Sequence, residues 1–443
     1  MVTVAAESCV CVCVCVCVCV CVCVCVCVCG SLTKFLPKVS EEMATKTLNP
    51  LSVEEEEQKE EEEEEQEQEQ GAEWSLETKV PVKVLRGHSD AVTTARFCFN
   101  DSRILSCSFD CSAILWDVES CRPLRVFDGV HSKTISECAL IPNTNRMVTV
   151  SWDRMMVSTD VETGQTLWRC RQDGLLTSCS SSSDGRLLVC AADPQNVVSI
   201  SDAASGQTLL RLSDHHSTTI TRCRFDPQSQ RVATVSGDRR IKLWDLLAQK
   251  TTLSINSSHR NNVSDCCFTN NGHFLCTASW DLNLKLWDLH AGGFRSRGVA
   301  TLQGGHDGCV SSCSFSADAD LLVSGSYDRT VALWDMPSLC QTLILKGHSD
   351  WVTDVSISSD RKLVASASKD GTVRLWNIEN MEEIPEVMKK RSTEGTGVHI
   401  LQCEECGKPF PVSRLQTSEL LTQCVVCRLK SPSRYRPQPP SLM

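Results

Sequence analysis

The residues whose types could support catalysis form a repeated set of histidine, serine and aspartate. In the first copy, His88 is followed twenty residues later by Ser108 and twenty-two residues later by Asp110. A hydroxyl activated by a base that a carboxylate orients is the arrangement of nucleophilic serine enzymes. A catalytic triad occurs once in a chain, however, whereas this set occurs six times, so we interpret it as structural and predict no enzyme activity. The other copies are His131, Ser151, Asp153; His216, Ser236, Asp238; His259, Ser279, Asp281; His306, Ser326, Asp328; and His348, Ser368, Asp370.

Two cysteine pairs near the end of the chain have the spacing of a metal site. The pairs Cys403–Cys406 and Cys424–Cys427 are separated by seventeen residues, and Gly407 allows the tight turn that such a pair needs. Four thiolates suit one structural zinc ion and leave no open position for catalysis. Free thiols or a redox pair remain the alternatives. We therefore predict a zinc-ribbon-like module.

The middle of the chain is an internal repeat. The endings "LWD", "LWN" and two weaker variants recur at intervals of 42 to 47 residues from Asp117 to Asn377, which gives seven units. Each unit contains short runs of β-forming residues separated by turn pairs such as "ND", "DG" and "NG". Four short strands in each unit of this length are typical of a propeller blade. The sequence predicts an all-β fold, a seven-bladed β-propeller.

The spacing of these residues resembles the WD40-repeat family over about residues 80–380. The resemblance implies that Asp orients His, that His contacts Ser, and that Ser contacts the indole N–H of a tryptophan. It also implies that the strand near 80–85 closes the ring by pairing with residues near 373–376. The third unit has Arg171 and Ala191 where His and Ser belong, so we expect it to lack this relay. The tryptophans of the other units are Trp116, Trp244, Trp287, Trp334 and Trp376, with Thr159 in the second unit.

The same resemblance identifies the residues that line the narrow face of the propeller. Aromatic residues make up only 5% of the chain, yet five of them fall on positions of this face. A cluster of aromatic side chains ringed by Ser and Thr is typical of a protein-binding surface. The alternative is that the rings pack on neighbouring loops. The five predicted partner-binding residues are Phe109, Trp152, Trp280, Tyr327 and Trp351.

The start of the chain differs in composition from the repeats. Eleven of the 30 cysteines lie in a strict Cys–Val alternation before Gly30, which a translated GT dinucleotide repeat would produce. Residues 54–70 contain twelve Glu and one Lys, and this tract alone matches the net charge of −11. We predict six segments: an unfolded run 1–30, a disordered acidic linker 31–78, the propeller 79–380, a linker 381–397, the zinc-ribbon-like module 398–430 and a disordered basic tail 431–443.

These features together predict a non-enzymatic scaffold in the cytoplasm or nucleus. We expect protein partners, and neither a small-molecule substrate, nor nucleic acid, nor a membrane. We also expect a monomeric propeller inside a larger complex, with zinc as the cofactor. One alternative is a substrate receptor of a ubiquitin ligase, although no unit has a basic residue two places after its WD pair. The other is chromatin or nucleic-acid binding through the end of the chain, where residues 387–443 carry nine Lys or Arg against four Glu.

Overall fold

The fold is a seven-bladed β-propeller, as predicted. The computed structural model describes residues 80–213, 215–289, 300–384, 387, 399–402, 407 and 409–412. The predicted N-terminal run, the acidic linker, the basic tail and the four cysteines predicted to bind zinc lie outside these residues. Seven antiparallel sheets of four strands follow one another along the described chain.

Six of the blades are made of four consecutive strands, in which the first is the innermost and the fourth the outermost. Blade 1 contains β2 (Val92–Cys98), β3 (Arg103–Ser108), β4 (Ala113–Asp117) and β5 (Pro123–Phe127). Blade 2 contains β6 (Ile135–Ile141), β7 (Arg146–Ser151), β8 (Met155–Asp160) and β9 (Thr166–Arg171). Blade 3 contains β10 (Leu175–Ser181), β11 (Leu187–Asp193), β12 (Val197–Asp202) and β13 (Thr208–Leu212).

The second half of the ring repeats this arrangement. Blade 4 contains β14 (Ile220–Phe225), β15 (Arg231–Ser236), β16 (Arg240–Asp245) and β17 (Lys250–Asn256). Blade 5 contains β18 (Val263–Phe268), β19 (Phe274–Ser279), β20 (Leu284–Asp288) and the short β21 (Ala300–Leu302). Blade 6 contains β22 (Val310–Phe315), β23 (Leu321–Ser326), β24 (Thr330–Asp335) and β25 (Cys340–Lys346).

Blade 7 closes the ring with the first strand of the propeller. Its sheet has the order β1 (Val82–Arg86), β28 (Thr372–Asn377), β27 (Leu363–Ser368) and β26 (Val352–Ile357). Val82 pairs with Trp376 and Arg86 with Thr372, so the predicted pairing is confirmed. A 3₁₀ turn at Met381–Glu383 follows, and β29 (His399–Gln402) pairs with β30 (Pro409–Val412) as a separate hairpin.

The core lies between the blades. One apolar cluster fills each junction of adjacent sheets. The second strand of a blade is buried on both faces, and in β11 this explains a nearly continuous apolar sequence. The fourth strand, such as β5, is exposed over most of its length. Because the first strands of neighbouring blades contact one another around the ring, their adjoining loops meet on a common narrow face.

Candidate interaction face

The predicted histidine–aspartate contact is present and anchors the loops of the narrow face. In blade 7, His348 Nδ1 lies 2.8 Å from Asp370 Oδ2, and His348 Nε2 lies 2.8 Å from the hydroxyl of Ser366. The indole N–H of Trp376 donates to the same hydroxyl over 2.8 Å. Because the carboxylate accepts from Nδ1–H, Nε2 is an acceptor and Ser366 donates to it. Equivalent hydroxyls in blades 1, 5 and 6 belong to Ser106, Thr277 and Ser324.

The identity of this hydroxyl corrects the sequence prediction, which placed it two residues later. Ser368 instead donates to the backbone carbonyl of Asp350 and accepts the backbone N–H of Asp370 over 3.1 Å. It therefore ties the end of the strand to the loop and contacts neither the histidine nor the tryptophan. The prediction was wrong in the same way for Ser108, Ser151, Ser236, Ser279 and Ser326, whose hydroxyls all accept the N–H of the turn aspartate.

Blade 4 departs from the predicted relay at its tryptophan. Thr234 Oγ1 contacts His216 Nε2 at 2.8 Å, but the second group on this hydroxyl is His215 Nε2, at 3.0 Å. The buried indole nitrogen of Trp244 has no hydrogen-bond partner within the described part of the chain. His215 thus replaces the predicted Trp244 as the donor to the relay hydroxyl. The only sign of this replacement in the sequence is the second histidine of "DHH", which places His215 directly before His216.

Blades 2 and 3 have incomplete relays. In blade 2, His131 contacts Asp153 and Thr149, but Thr159 stands in place of the tryptophan and its buried hydroxyl has no partner among the described residues. In blade 3 the histidine is absent, as the sequence predicted. Gln172, which is buried, instead accepts a hydrogen bond from Ser199 on the neighbouring strand.

The relay holds its members in fixed protonation states. Burial alone would raise the pKa of Asp238, Asp281 and Asp328, but hydrogen bonds from the histidines and the backbone outweigh it and lower each pKa to about 2. Burial lowers the pKa of His131 and His259 despite the neighbouring carboxylates. In the six relays the hydroxyl at each histidine Nε2 belongs to a fully buried Ser or Thr, so a substrate cannot reach this pair as it reaches a catalytic serine.

The five predicted aromatic residues meet on the narrow face, in two groups. The rings of Tyr327 and Trp351 are stacked, with centroids 4.6 Å apart and an interplanar angle of 15°. Trp280 lies 6.4 Å from Tyr327, while Phe109 and Trp152 form a second pair at 5.7 Å. All five residues are half-buried.

A uniform backbone contact places these rings. In the six blades with a relay histidine, the residue before the turn aspartate donates its backbone N–H. The acceptor is the backbone carbonyl of the residue three places after the histidine of the same blade. In blade 7 this bond joins Lys369 to Trp351, and the ammonium of Lys369 lies 4.5 Å from the Trp351 ring centroid. The same position holds only Ala192 in blade 3 and Gly237 in blade 4, so the aromatic side chains form an open arc.

A buried ionic cluster, which the sequence did not reveal, joins the inner strands. Arg222 contacts Glu137 at 3.0 Å and Asp265 at 3.1 Å, and Arg224 contacts Glu137 at 2.6 Å. Burial would raise the pKa of Glu137, but the two arginines lower it to about 2. Asp354 of blade 7 also accepts from the hydroxyl of Ser312 in blade 6. These contacts fix the inner strands of several blades relative to one another.

The cysteines of the propeller behave as small apolar side chains. Ten of the fifteen are buried, and none of the fifteen forms a disulfide. Burial raises the pKa of Cys98 and of Cys223 to about 12, so both remain thiols at neutral pH. The described residues contain no cluster of ligands that could hold a metal ion. No helix among them is long and apolar enough to cross a membrane.

Comparison with known proteins identifies the repeat independently. The family model described as "WD domain, G-beta repeat" matches residues 79–117, 206–245, 250–288, 297–335 and 339–377. The unmatched part between the first and second of these ranges corresponds to blades 2 and 3, where the relays are incomplete.

Relatives of this chain are known in several organisms. WD repeat-containing protein 88 of Homo sapiens is 49% identical over 404 residues, which cover 90% of this chain and 85% of that protein. Pre-mRNA-processing factor 17 of Mus musculus is 27% identical over 171 residues, covering 38% of this chain and 29% of the relative. The U3 small nucleolar RNA-associated protein 15 homolog of Gallus gallus is 26% identical over 172 residues, covering 39% of this chain and 32% of the relative.

Proposed function

Because the chain belongs to the WD40-repeat family, we propose that it is a non-enzymatic scaffold whose aromatic narrow face binds a protein partner. The stacked pair of Tyr327 and Trp351 carries this proposal, since both residues are only half-buried and lie on hydrogen-bonded turns. Aromatic side chains that are immobilised before binding lose little conformational entropy when a partner covers them. The alternative, that the rings serve only to pack the loops, predicts no loss of binding on their removal.

The arrangement of charge suits a peptide more than a small molecule. The arc is open and lies on a surface, whereas small-molecule sites are usually enclosed and concave. Lys369 sits over the Trp351 ring and offers a cation at one end of the stacked group. A segment that places an apolar side chain on the stack and a carboxylate beside Lys369 would match both features.

A larger assembly, in the nucleus or cytoplasm, is the setting that the relatives support. Pre-mRNA-processing factor 17 and the U3 small nucleolar RNA-associated protein 15 homolog carry names that refer to RNA-containing machinery. The U5 small nuclear ribonucleoprotein 40 kDa protein of Dictyostelium discoideum, 27% identical over 182 residues, adds a third such name. A propeller that links proteins inside such a complex needs no catalytic group of its own.

Proximity labelling with the full chain tests the binding face. The double variant Trp152→Ala and Trp351→Ala should lose the partners that the unmodified chain labels, while its melting temperature falls by only a few degrees. Leu247→Ala, a change at a fully exposed side chain away from the face, is the control and should label the same partners. Unchanged labelling by the double variant would refute the proposal, and recovery of ligase subunits would favour the substrate-receptor alternative.

A structural zinc ion at Cys403, Cys406, Cys424 and Cys427 is a second part of the proposal. These residues lie outside the described part, but the first pair falls in the sequence between the paired strands β29 and β30. Gly407 in the same loop has φ of 67°, a conformation that favours glycine. A short hairpin with a Cys-x-x-Cys pair between its strands would hold two thiolates close together, which supports the proposal.

Metal analysis of the purified full chain tests this site. We expect about one zinc ion per chain, and Cys424→Ser with Cys427→Ser should remove it because two thiolates cannot hold the ion tightly. The matched control, Cys111→Ser with Cys170→Ser, changes two half-buried cysteines of the propeller and should leave the zinc content unchanged. Equal zinc content in both double variants would contradict the assignment.

A further inference from the structure

Exposed apolar side chains are concentrated on one side of the ring. Six large apolar residues of the described chain are exposed, and four of them lie on the outermost strands of blades 1, 2 and 3. Leu124 and Val126 on β5 are 50% and 52% exposed, Leu167 on β9 is 42% exposed, and Leu209 on β13 is 59% exposed. We call the exposed surface of these three strands the outer wall.

Three of these leucines occupy one equivalent position, a bulge in the pairing of the third and fourth strands. Leu124, Leu167 and Leu209 each fall where the register shifts. At the same bulge, blades 4 and 6 carry Thr252 and Thr342, whose hydroxyls donate to backbone carbonyls of the neighbouring strand. The position therefore accepts a polar residue that satisfies the backbone, and the leucines are not required by the fold.

Contacts between blades make the outer wall continuous. Arg125 of β5 donates to the carbonyls of Glu162 and Thr163 in blade 2. Trp168 of β9 donates through its indole N–H to the carbonyl of Ala203 in blade 3, over 3.2 Å. The three outer strands are thus joined to one another by side chains that cross the gaps between the blades.

The charge of the outer wall has one sign. The charged residues of the three strands are Arg125, Arg169, Arg171 and Arg211, and all are exposed, whereas the strands contain no Asp or Glu. Asp173 pairs with Arg211 from a neighbouring loop. A second copy of the wall would therefore bring arginines against arginines, which opposes self-association.

We propose that the outer wall binds an extended protein segment in which apolar and acidic side chains alternate. Each outer strand is hydrogen-bonded on one side only, so its free edge can pair with an added strand. Side chains on one face of that strand would cover the leucine of the outer strand with which it pairs, and its carboxylates would meet the arginines of the wall. Lipid and nucleic acid could pair with the arginines but cannot complete a strand ladder.

The test uses the full chain and a fluorescein-labelled peptide of alternating Leu and Glu. Anisotropy should show tighter binding of this peptide than of Leu–Lys or Ser–Glu peptides of the same length. The triple variant Leu124→Thr, Leu167→Thr and Leu209→Thr copies the residue of blades 4 and 6, and should bind the Leu–Glu peptide at least about tenfold more weakly. Leu247→Thr, a change at an exposed leucine elsewhere, should bind like the unmodified chain.

Two further measurements identify the mode of binding. Hydrogen exchange should show slower exchange in β5, β9 or β13 when the Leu–Glu peptide is bound, because an added strand protects edge amides. The Trp152→Ala and Trp351→Ala variant should retain the peptide, which separates this surface from the aromatic face. The proposal would be overturned if the Leu–Lys peptide bound as tightly as the Leu–Glu peptide, or if the triple variant kept its affinity for the Leu–Glu peptide. It would also be overturned if the triple variant lost only its binding to phosphatidylserine vesicles or single-stranded RNA.

Discussion

Blades 3 and 7 differ in their relays but agree in their sheets. Blade 7 has the full chain of Asp370, His348, Ser366 and Trp376, whereas blade 3 keeps only a buried glutamine, Gln172, near the missing histidine. Both nevertheless form four antiparallel strands, and both pack buried clusters against their neighbours. Strand pairing and apolar packing are therefore enough to form a blade.

The relay joins the loops of a blade to its strands by hydrogen bonds. Blades 1, 5, 6 and 7 have complete relays, and these blades supply Phe109, Trp280, Tyr327 and Trp351 of the narrow face. Blades 3 and 4, in which the histidine is missing or the tryptophan is displaced, present only Ala192 and Gly237 at the equivalent position. Four of the five aromatic residues thus come from blades with complete relays, whereas Trp152 comes from blade 2, whose relay lacks the tryptophan.

Acidification should have the largest effect on the stability of the chain, because it affects every blade that has a relay. The folded-state pKa of Asp238, Asp281 and Asp328 is lowered, so their stabilisation is complete above the unfolded pKa and is lost as the pH falls towards 2. The lowered pKa of His131 and His259 acts in the same direction, because the unfolded chain binds protons first below pH ~6.5.

The expected loss is on the order of 1 kcal/mol per pair after allowance for the partial exposure of the carboxylates, and several kcal/mol in sum. The urea midpoint, followed by tryptophan fluorescence at pH 7, 5 and 3, measures it. A midpoint that does not change over this range would show that the relays contribute no stability through their charge.

Removal of the histidine should separate a complete relay from an absent one. His348→Ala removes the N–H donor to the Asp370 carboxylate and the acceptor of the Ser366 hydroxyl, and should lower the free energy of unfolding by about 3 kcal/mol. Gln172→Ala in blade 3 removes only neutral hydrogen bonds and should cost about 1 kcal/mol. Thermal melts of both variants test this difference, and equal costs would mean that blade 3 depends on Gln172 as blade 7 depends on its relay.

Removal of a single indole N–H should have the smallest effect on stability, and it compares a tryptophan that belongs to a relay with one that does not. Trp287→Phe removes the indole donor to Thr277 and should destabilise the chain by about 1 kcal/mol beyond the loss of ring volume. Trp244→Phe removes an indole nitrogen that has no partner within the described residues, so this extra cost should be absent. Urea unfolding of the two variants measures the difference, and a larger loss for Trp244→Phe would contradict the assignment of His215 to the relay.

The repeat itself allowed the fold to be predicted, while the relay hydroxyl could not be assigned correctly. Side chains two residues apart point to the same face of a strand, so Ser106 and Ser108 are equivalent by alternation alone. The later position is Ser in all six relays, whereas the earlier one is Thr in blades 2, 4 and 5. The relay hydroxyl was therefore assigned to the later position, where the residue does not vary. Only the distances to the ring nitrogens distinguish the two positions.

The aromatic positions of the site could be predicted from the sequence, but the contacts between distant residues could not. The aromatic positions could be predicted because a fixed backbone contact places them in every relay-bearing blade. The cluster of Glu137, Arg222 and Asp265 could not, since its contacting pairs are about 40 to 90 residues apart and meet only where the inner strands of different blades converge. The displacement of Trp244 depends in the same way on how His215 packs.

The pairing of β1 with β28 also has a consequence during synthesis of the chain. The first strand leaves the ribosome long before Thr372–Asn377 exist, so its partner is absent while six blades are being made. A nascent chain therefore exposes an unpaired strand, Val82–Arg86, until translation has passed the end of the propeller. The ring closes as one of the last events, and a chain that stops before Trp376 keeps both free edges available to chaperones or to aggregation.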